Sequence, residues 1–180
     1  MGETGRTPLV APAGFEQAFR EHHAFVWRML RRLGVPEAST DDAVQDVFLV
    51  LARRFGEFDQ ARGTMRSWLV AIAARVARQQ RRTLGRRHRL LAAFQREPSA
   101  AAEAAAHDGD ATQLLHGLLD TLDQDKRLVV VLVELEQMTG QEVAQMLGLK
   151  VPTVHSRLRL ARAELKRAYG RLLARSGGIR

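Results

Sequence analysis

Cysteine is absent from the 180 residues. That excludes a disulfide-stapled scaffold, a Cys-ligated zinc module, a thiol nucleophile and a thiol redox switch within this chain. Aromatic residues are sparse at 6%, and the five prolines fall between periodic runs rather than inside them. No apolar run approaches the roughly 18 residues that span a bilayer, because Arg interrupts every candidate. Met1 to Gly14 lacks the basic-then-apolar order of a signal peptide, so the chain is expected to be soluble and cytoplasmic. The six histidines make no HxxxH or HExxH array, and neither GxxxxGK[ST] nor GxSxG occurs. No catalytic residue, cofactor, metal or small-molecule substrate is expected.

What is present is an ordinary globular composition, 46% hydrophobic and 27% charged, with a net charge of +8. The charge is polarised along the chain: +2 over residues 1–36, −4 over 37–59, +10 over 60–96, −7 over 97–136 and +7 over 137–180. Two basic segments flanking acidic ones suggest two separate polyanion-facing surfaces, with nucleic acid the leading partner class, and a region between them that faces something else.

Periodicity is helical throughout, and no period-2 strand persists. Phe15, Phe19, Val26, Leu30 and Leu33 predict a helix stopping at Gly34-Val35-Pro36. Ser39 and Asp42 resemble a capping box for a second helix, with Val44, Val47, Leu51, Phe55 and Phe58 on one face. After a loop over 59–64, Met65, Leu69, Ile72 and Val76 predict a third helix to about Arg82. Pro98 to Asp110 reads as a flexible linker. Beyond it, Leu114, Leu115, Leu118, Leu119 and Leu122 form an apolar helix, and Asp123 can cap another over Leu128 to Leu135.

Thr139-Gly140-Gln141-Glu142 is a Thr-x-x-Glu box opening a short helix through Leu147, which Gly148 ends. Pro152 lies in the first turn of a long final helix burying Val154, Leu158, Ala161, Leu165, Tyr169 and Leu172. Short capped helix, tight turn and longer helix make a helix-turn-helix whose second helix suits a DNA major groove. Its outward residues are hydrogen-bond donors. Thr153, His155, Ser156, Arg157 and Arg159 are placed to meet base edges and phosphates, and Arg162 and Lys166 to track the backbone. Arg75, Arg78, Arg82, Arg86 and Arg89 recur at spacings of 3, 4, 4 and 3, a ridge that can follow phosphates beside Trp68. Asp41, Asp42 and Asp46, with Gln45, lack the ligand spacing of a metal site and better suit a polar face for a protein partner.

The order of these parts resembles a known family. Asp41-Asp42-Ala43-Val44-Gln45-Asp46-Val47-Phe48, Ser67-Trp68-Leu69-Val70-Ala71-Ile72-Ala73 with its Arg-rich tail, and Thr139-Gly140-Gln141-Glu142-Val143-Ala144 followed by Thr153 to Arg162 are similar to the extracytoplasmic-function (ECF) group of bacterial sigma-70 type sigma factors. The resemblance implies an all-α chain of two small helical domains. Residues 1–14 would be an N-terminal extension and 15–95 a three-to-four-helix region 2 domain. Residues 96–110 would be a flexible linker, and 111–175 a helix-turn-helix region 4 domain. It further implies that Asp42, Gln45, Asp46 and Phe48 dock on the β′ clamp of core RNA polymerase. Arg62, Trp68, Arg75, Arg78 and Arg82 would open and read the −10 element, and the 153–166 face would read the −35 element beside the β flap. An anti-sigma factor would hold the chain inactive. The chain departs from the family pattern at Arg75, Gln79, His155 and Leu160, which leaves its promoter preference open. Two other readings use the same residues: a stand-alone helix-turn-helix regulator, and a nuclease built on Asp41, Asp42 and Asp46.

Overall fold

The computed structural model describes residues 12–94 and 110–176, with the side chains of Arg62, 84–94, Asp110 and 175–176 outside the description. Most of the expected N-terminal extension and nearly all of the expected linker therefore lie outside the described residues. Among those described there are seven α-helices and no strand. They are α1 Phe15–Arg32, α2 Thr40–Arg54, α3 Met65–Phe94, α4 Asp110–Asp120, α5 Gln124–Val130, α6 Gly140–Leu147 and α7 Val151–Ser176. A π-helical turn, Val131–Leu135, extends α5.

Helices α1, α2 and α3 pack on one another. Val26, Met29 and Leu30 of α1, Val47 and Leu51 of α2, and Leu69 and Ala73 of α3 are all fully buried or nearly so. Each such aliphatic side chain contributes roughly 1.5–3 kcal/mol by leaving water. Helices α4, α5 and α6 pack on α7, where Leu128, Val131, Val143, Val154 and Ala161 close a second apolar centre. The two groups also meet: α1 touches α4, and the buried residues of both belong to one contiguous cluster.

The seam between them is organised by the end of α1. Gly34 (φ +88°) closes that helix, with its N–H on Arg31 O and the Val35 N–H on Leu30 O, the paired bonds of a Schellman motif. Arg127 of α5 reaches across to the last carbonyls of α1: Nε donates to Arg32 O at 2.6 Å and Nη2 to Arg31 O at 3.3 Å, while Nη1 pairs with Asp120. A cation at a helix C-terminus meets the negative end of the dipole. Burial pushes the Arg127 guanidinium below its ordinary pKa, and Asp120 opposes the shift.

Several expectations are corrected. Ser39 makes no side-chain cap bond, because a 3-10 turn at Glu37–Ser39 runs straight into α2 and leaves Ser39 at ψ 2°, far from the extended geometry a cap needs. Helix α3 runs past Arg82 to Phe94, where good helix formers outweigh the roughly 1 kcal/mol cost of Gly85. Tyr169 and Leu172 are 45% and 41% exposed, since the last core position on α7 is Ala168. Phe19 and Leu114 are likewise exposed rather than buried. The basic segments are not insulated from the acidic ones, since Arg78 of α3 pairs with Asp125 of α5 at 3.1 Å.

A Cβ at Gly34 would stand 2.8 Å from Arg81 Nη1 and 2.9 Å from Arg127 Cζ. Gly34→Ala is expected to destabilise the fold by at least the roughly 1–2 kcal/mol of a left-handed Ala, read as a lower urea midpoint.

Candidate nucleic-acid interface

In the helix-turn-helix, the Thr139 N–H donates to Glu142 Oε2 at 2.7 Å and the Glu142 N–H to Thr139 Oγ1 at 3.2 Å, a complete capping box. The Thr139 N–H and hydroxyl, both donating to Oε2, hold the Glu142 carboxyl below its ordinary pKa. Gly148 ends α6 in the left-handed region (φ +64°), where any other residue is strained, and the Leu149 N–H closes on Ala144 O at 2.8 Å. The His155 ring lies against Gly140, where a Cβ would meet its Nε2 at 2.7 Å.

On α7 the outward residues His155, Ser156, Arg159, Arg162 and Lys166 are exposed, and Thr153 is half-buried. Arg162 is not a free cation; its Nε donates to Glu134 Oε1 at 2.7 Å. Arg157 points away from that face, with Nη2 on Asp125 Oδ2 at 2.7 Å. The open donor face of α7 is thus His155, Ser156, Arg159 and Lys166.

On the first group, Arg75, Arg78 and Arg82 stand exposed along α3. Arg78 is engaged by Asp125, so the ridge is partly covered where α3 faces α5. The loop before α3 is held by its own side chains: the Ser67 N–H donates to Thr64 Oγ1 at 3.1 Å, and the Ala61 N–H to the Asp59 carboxylate Oδ1 at 2.9 Å. Arg62 closes the 3-10 turn Gln60–Arg62. Trp68 is half-buried and stacks on Phe58, ring centroids 5.4 Å apart at 19°. Together they line a cavity of about 860 Å³ between the loop and the 136–146 segment.

Asp42, Gln45 and Asp46 project from α2 into solvent, with Gln80 Nε2 at 3.5 Å from Asp46 Oδ2. Trp27 Nε1 donates to Asp41 Oδ1 at 3.1 Å. Phe48 differs: at 3% exposed it is a core residue beneath Phe19, 4.7 Å between ring centroids. It floors an apolar groove of about 350 Å³ rimmed by Phe15, His23, Gln45 and Leu49. No three acidic or His side chains among the described residues are grouped to hold a metal, and no described helix is long and apolar enough to cross a membrane.

Sequence reasoning missed Arg32, Arg66, Asp125, Arg127 and Glu136, which join the two groups. Their pairing spans most of the chain, and no local pattern announces it. The one available signal was Arg127 at the edge of the apolar run Leu128–Leu135.

Comparison with known proteins matches this geometry. The Sigma-70 region 2 family model covers residues 18–87, and the Sigma-70, region 4 model covers 112–165. The RNA polymerase sigma factor CnrH of Cupriavidus metallidurans is 32% identical over 161 residues, 84% of each chain. The ECF RNA polymerase sigma factor SigM of Mycobacterium tuberculosis is 31% identical, over 88% of this chain and 78% of that one. Among solved structures, CnrH in complex with the cytosolic domain of CnrY superposes with TM-score 0.62 at 29% identity, covering 87% of both chains. The sigma factor RpoE of Bartonella quintana, in complex with the anti-sigma factor NepR, shares the fold at TM-score 0.67 and 21% identity, over 85% of this chain and 94% of that one. The chain belongs to the sigma-70 family. Within it, this is a sigma factor of the ECF group, carrying region 2 on α1–α3 and region 4 on α4–α7.

Two outcomes test the local geometry. Phe48→Ala is expected to lower stability by about 3–5 kcal/mol in urea unfolding, as a core deletion does, whereas Asp42→Ala changes it by less than about 0.5 kcal/mol. The capping box stabilises fully above the ordinary glutamate pKa, and its contribution is lost as pH falls through the depressed folded value. Thr139→Ala costs about 1 kcal/mol at neutral pH, and its deficit relative to the parent narrows at acid pH in melts followed by circular dichroism.

Proposed function

We propose that the chain acts by binding alone, as a cytoplasmic initiation factor that joins core RNA polymerase and directs it to promoters with paired −10 and −35 elements. The observation that carries this reading is the presence, on one chain, of two donor-rich surfaces of different kind. The exposed α7 face is a rigid helix for duplex major groove. The α3 ridge beside the Phe58–Trp68 stack suits a melted strand, since stacking on aromatics supports roughly 1–3 kcal/mol per base. Arg75 and Arg82 on the ridge contact phosphates, Trp68 and the 59–64 loop with Arg62 lie at the −10 bases, and Arg78 becomes available when Asp125 releases it. His155, Ser156 and Arg159 read the −35 element, with Thr153 at the edge and Lys166 and Arg162 on the backbone; Arg157 serves the contact with Asp125 first.

The exposed Asp42, Gln45 and Asp46, over the groove that Phe48 floors, dock on the β′ clamp, and region 4 sits by the β flap. Residues 15–95 and 111–175 act as the two working domains, with 96–110 as tether. The solved relatives are in complex with partner proteins, the cytosolic domain of CnrY and the anti-sigma factor NepR, and an anti-sigma factor is the corresponding regulator here. The chain itself performs no reaction.

Runoff transcription from a promoter library, with and without core polymerase, tests the reading. Transcripts that require both polymerase and this chain are expected; tight specific binding by the free chain with no gain from polymerase overturns it. Arg82→Ala is expected to weaken the holoenzyme on many promoters alike and to lower the slope of log affinity on log salt by about 1. Arg159→Ala instead changes which upstream sequences are selected, at a cost of about 1–3 kcal/mol on the preferred one.

A further inference from the structure

Glu136 is the most deeply held carboxylate across the seam. It follows the π turn, where its N–H donates to Val131 O at 3.0 Å, and precedes Gln137, a non-glycine residue in the left-handed region at φ +57°. The chain direction there is therefore fixed, and the side chain is aimed at the first helical group. Its two oxygens are divided between two guanidiniums of region 2: Arg32 Nη1 to Oε1 at 2.7 Å and Arg66 Nη2 to Oε2 at 2.6 Å. The Glu136 side chain is 2% exposed, while those of Arg32 and Arg66 are 29% and 57% exposed. Arg66 is further set in place over the Phe25 ring, 4.2 Å from its centroid.

Two arginines converging on one anion form a fork that takes a carboxylate or a phosphate with the same geometry. Arg66 also lies immediately before Ser67-Trp68 and lines the cavity with them. The second pairing across the seam has the same sense: Asp125 of region 4 holds Arg78 of region 2. Acidic residues of the −7 segment thus sit on cations of the +10 segment, where an extended polyanion would otherwise lie.

We propose that the free chain closes on itself, with Glu136 serving as an internal substitute for a DNA phosphate in a two-arginine anion site made by Arg32 and Arg66. Opening exchanges the carboxylate for a backbone phosphodiester of the strand entering the Trp68 cavity. The inference rests on the reading of region 2 as a DNA-binding surface, but the closure itself is measured without DNA.

The test uses the full chain. Because it has no cysteine, Ala24→Cys on α1 and Ala163→Cys on α7, both exposed, accept a donor and acceptor dye for energy transfer. The parent is expected to give high transfer that falls with added salt, and Glu136→Gln is expected to give lower transfer at low salt. Arg66→Gln, a change at a surface side chain, lowers transfer as well and secures the result should Glu136→Gln fold poorly. With a mixed-sequence 20-nucleotide single strand as probe, Glu136→Gln binds about three- to tenfold tighter than the parent, the scale of losing two partly exposed ion pairs. Adding Arg66→Gln to Glu136→Gln then weakens binding about threefold or more and lowers the salt slope by about 1. Unchanged transfer in Glu136→Gln and Arg66→Gln overturns the part of Glu136 in closing the chain. Lower transfer with affinity and salt slope indifferent to Arg66 in the Glu136→Gln background overturns the phosphate exchange. Absence of DNA binding by every variant, with transfer responding as expected, overturns instead the reading of region 2.

Discussion

A guanidinium removed from water is tolerable only when its donors and its charge are both answered, and Arg127 meets that condition by reaching into another helical group. Its partners are Asp120 and the last carbonyls of α1. The Schellman turn leaves Arg32 O to Arg127 and shares Arg31 O with it, beside the Gly34 N–H, and Gly34 has no side chain to block the approach. Removing one side of such an arrangement leaves a buried charge or buried carbonyls unmatched, typically 3–5 kcal/mol. The relative placement of regions 2 and 4 in the free chain therefore depends on a contact that is polar, directional and intolerant of partial fit. Hydrophobic packing alone, which lacks direction, would let the two groups slide.

This bears on how a small, strongly basic protein manages its own charge. Exposed arginines repel one another and attract any polyanion, which favours non-specific association. Here Asp125 binds Arg78 and Arg157, Glu134 binds Arg162, and Glu136 binds Arg32 and Arg66. The acidic middle of the chain has a physical role at this seam, and Arg159 and Lys166, seven residues apart, stay exposed on one side of α7. Selectivity among DNA sites benefits when the indiscriminate part of the attraction is restrained.

Much of the architecture was legible because it is local. The Thr139–Glu142 box, the Gly148 stop and the Asp123 cap follow from spacing, and so do the apolar stripes of α1, α2 and α3, except that Phe19 is exposed and Phe55 and Phe58 lie beyond the end of α2. The failures have equally definite causes. Ser39 looked like a cap, but cap function depends on a backbone angle that the preceding turn does not supply. Tyr169 and Leu172 continued an apolar stripe, yet a stripe is buried only as far as the partner helices extend. Within the candidate site, the exposure of Ser156, Arg159, Asp42 and Arg82 was readable from helical phase. The engagement of Arg157 and Arg78 by Asp125 was not, and neither was the Arg32–Glu136 pair, whose members are 104 positions apart. Periodicity carries no information about contacts at that separation.

The chain contains two tryptophans, and both belong to region 2. Trp27 is tied to Asp41 and lies under Arg31 at 5.9 Å. Trp68 is stacked on Phe58 at the wall of the cleft that region 4 covers. Intrinsic fluorescence is therefore a built-in gauge of cleft hydration: the Trp68 indole shifts its emission colour as water enters.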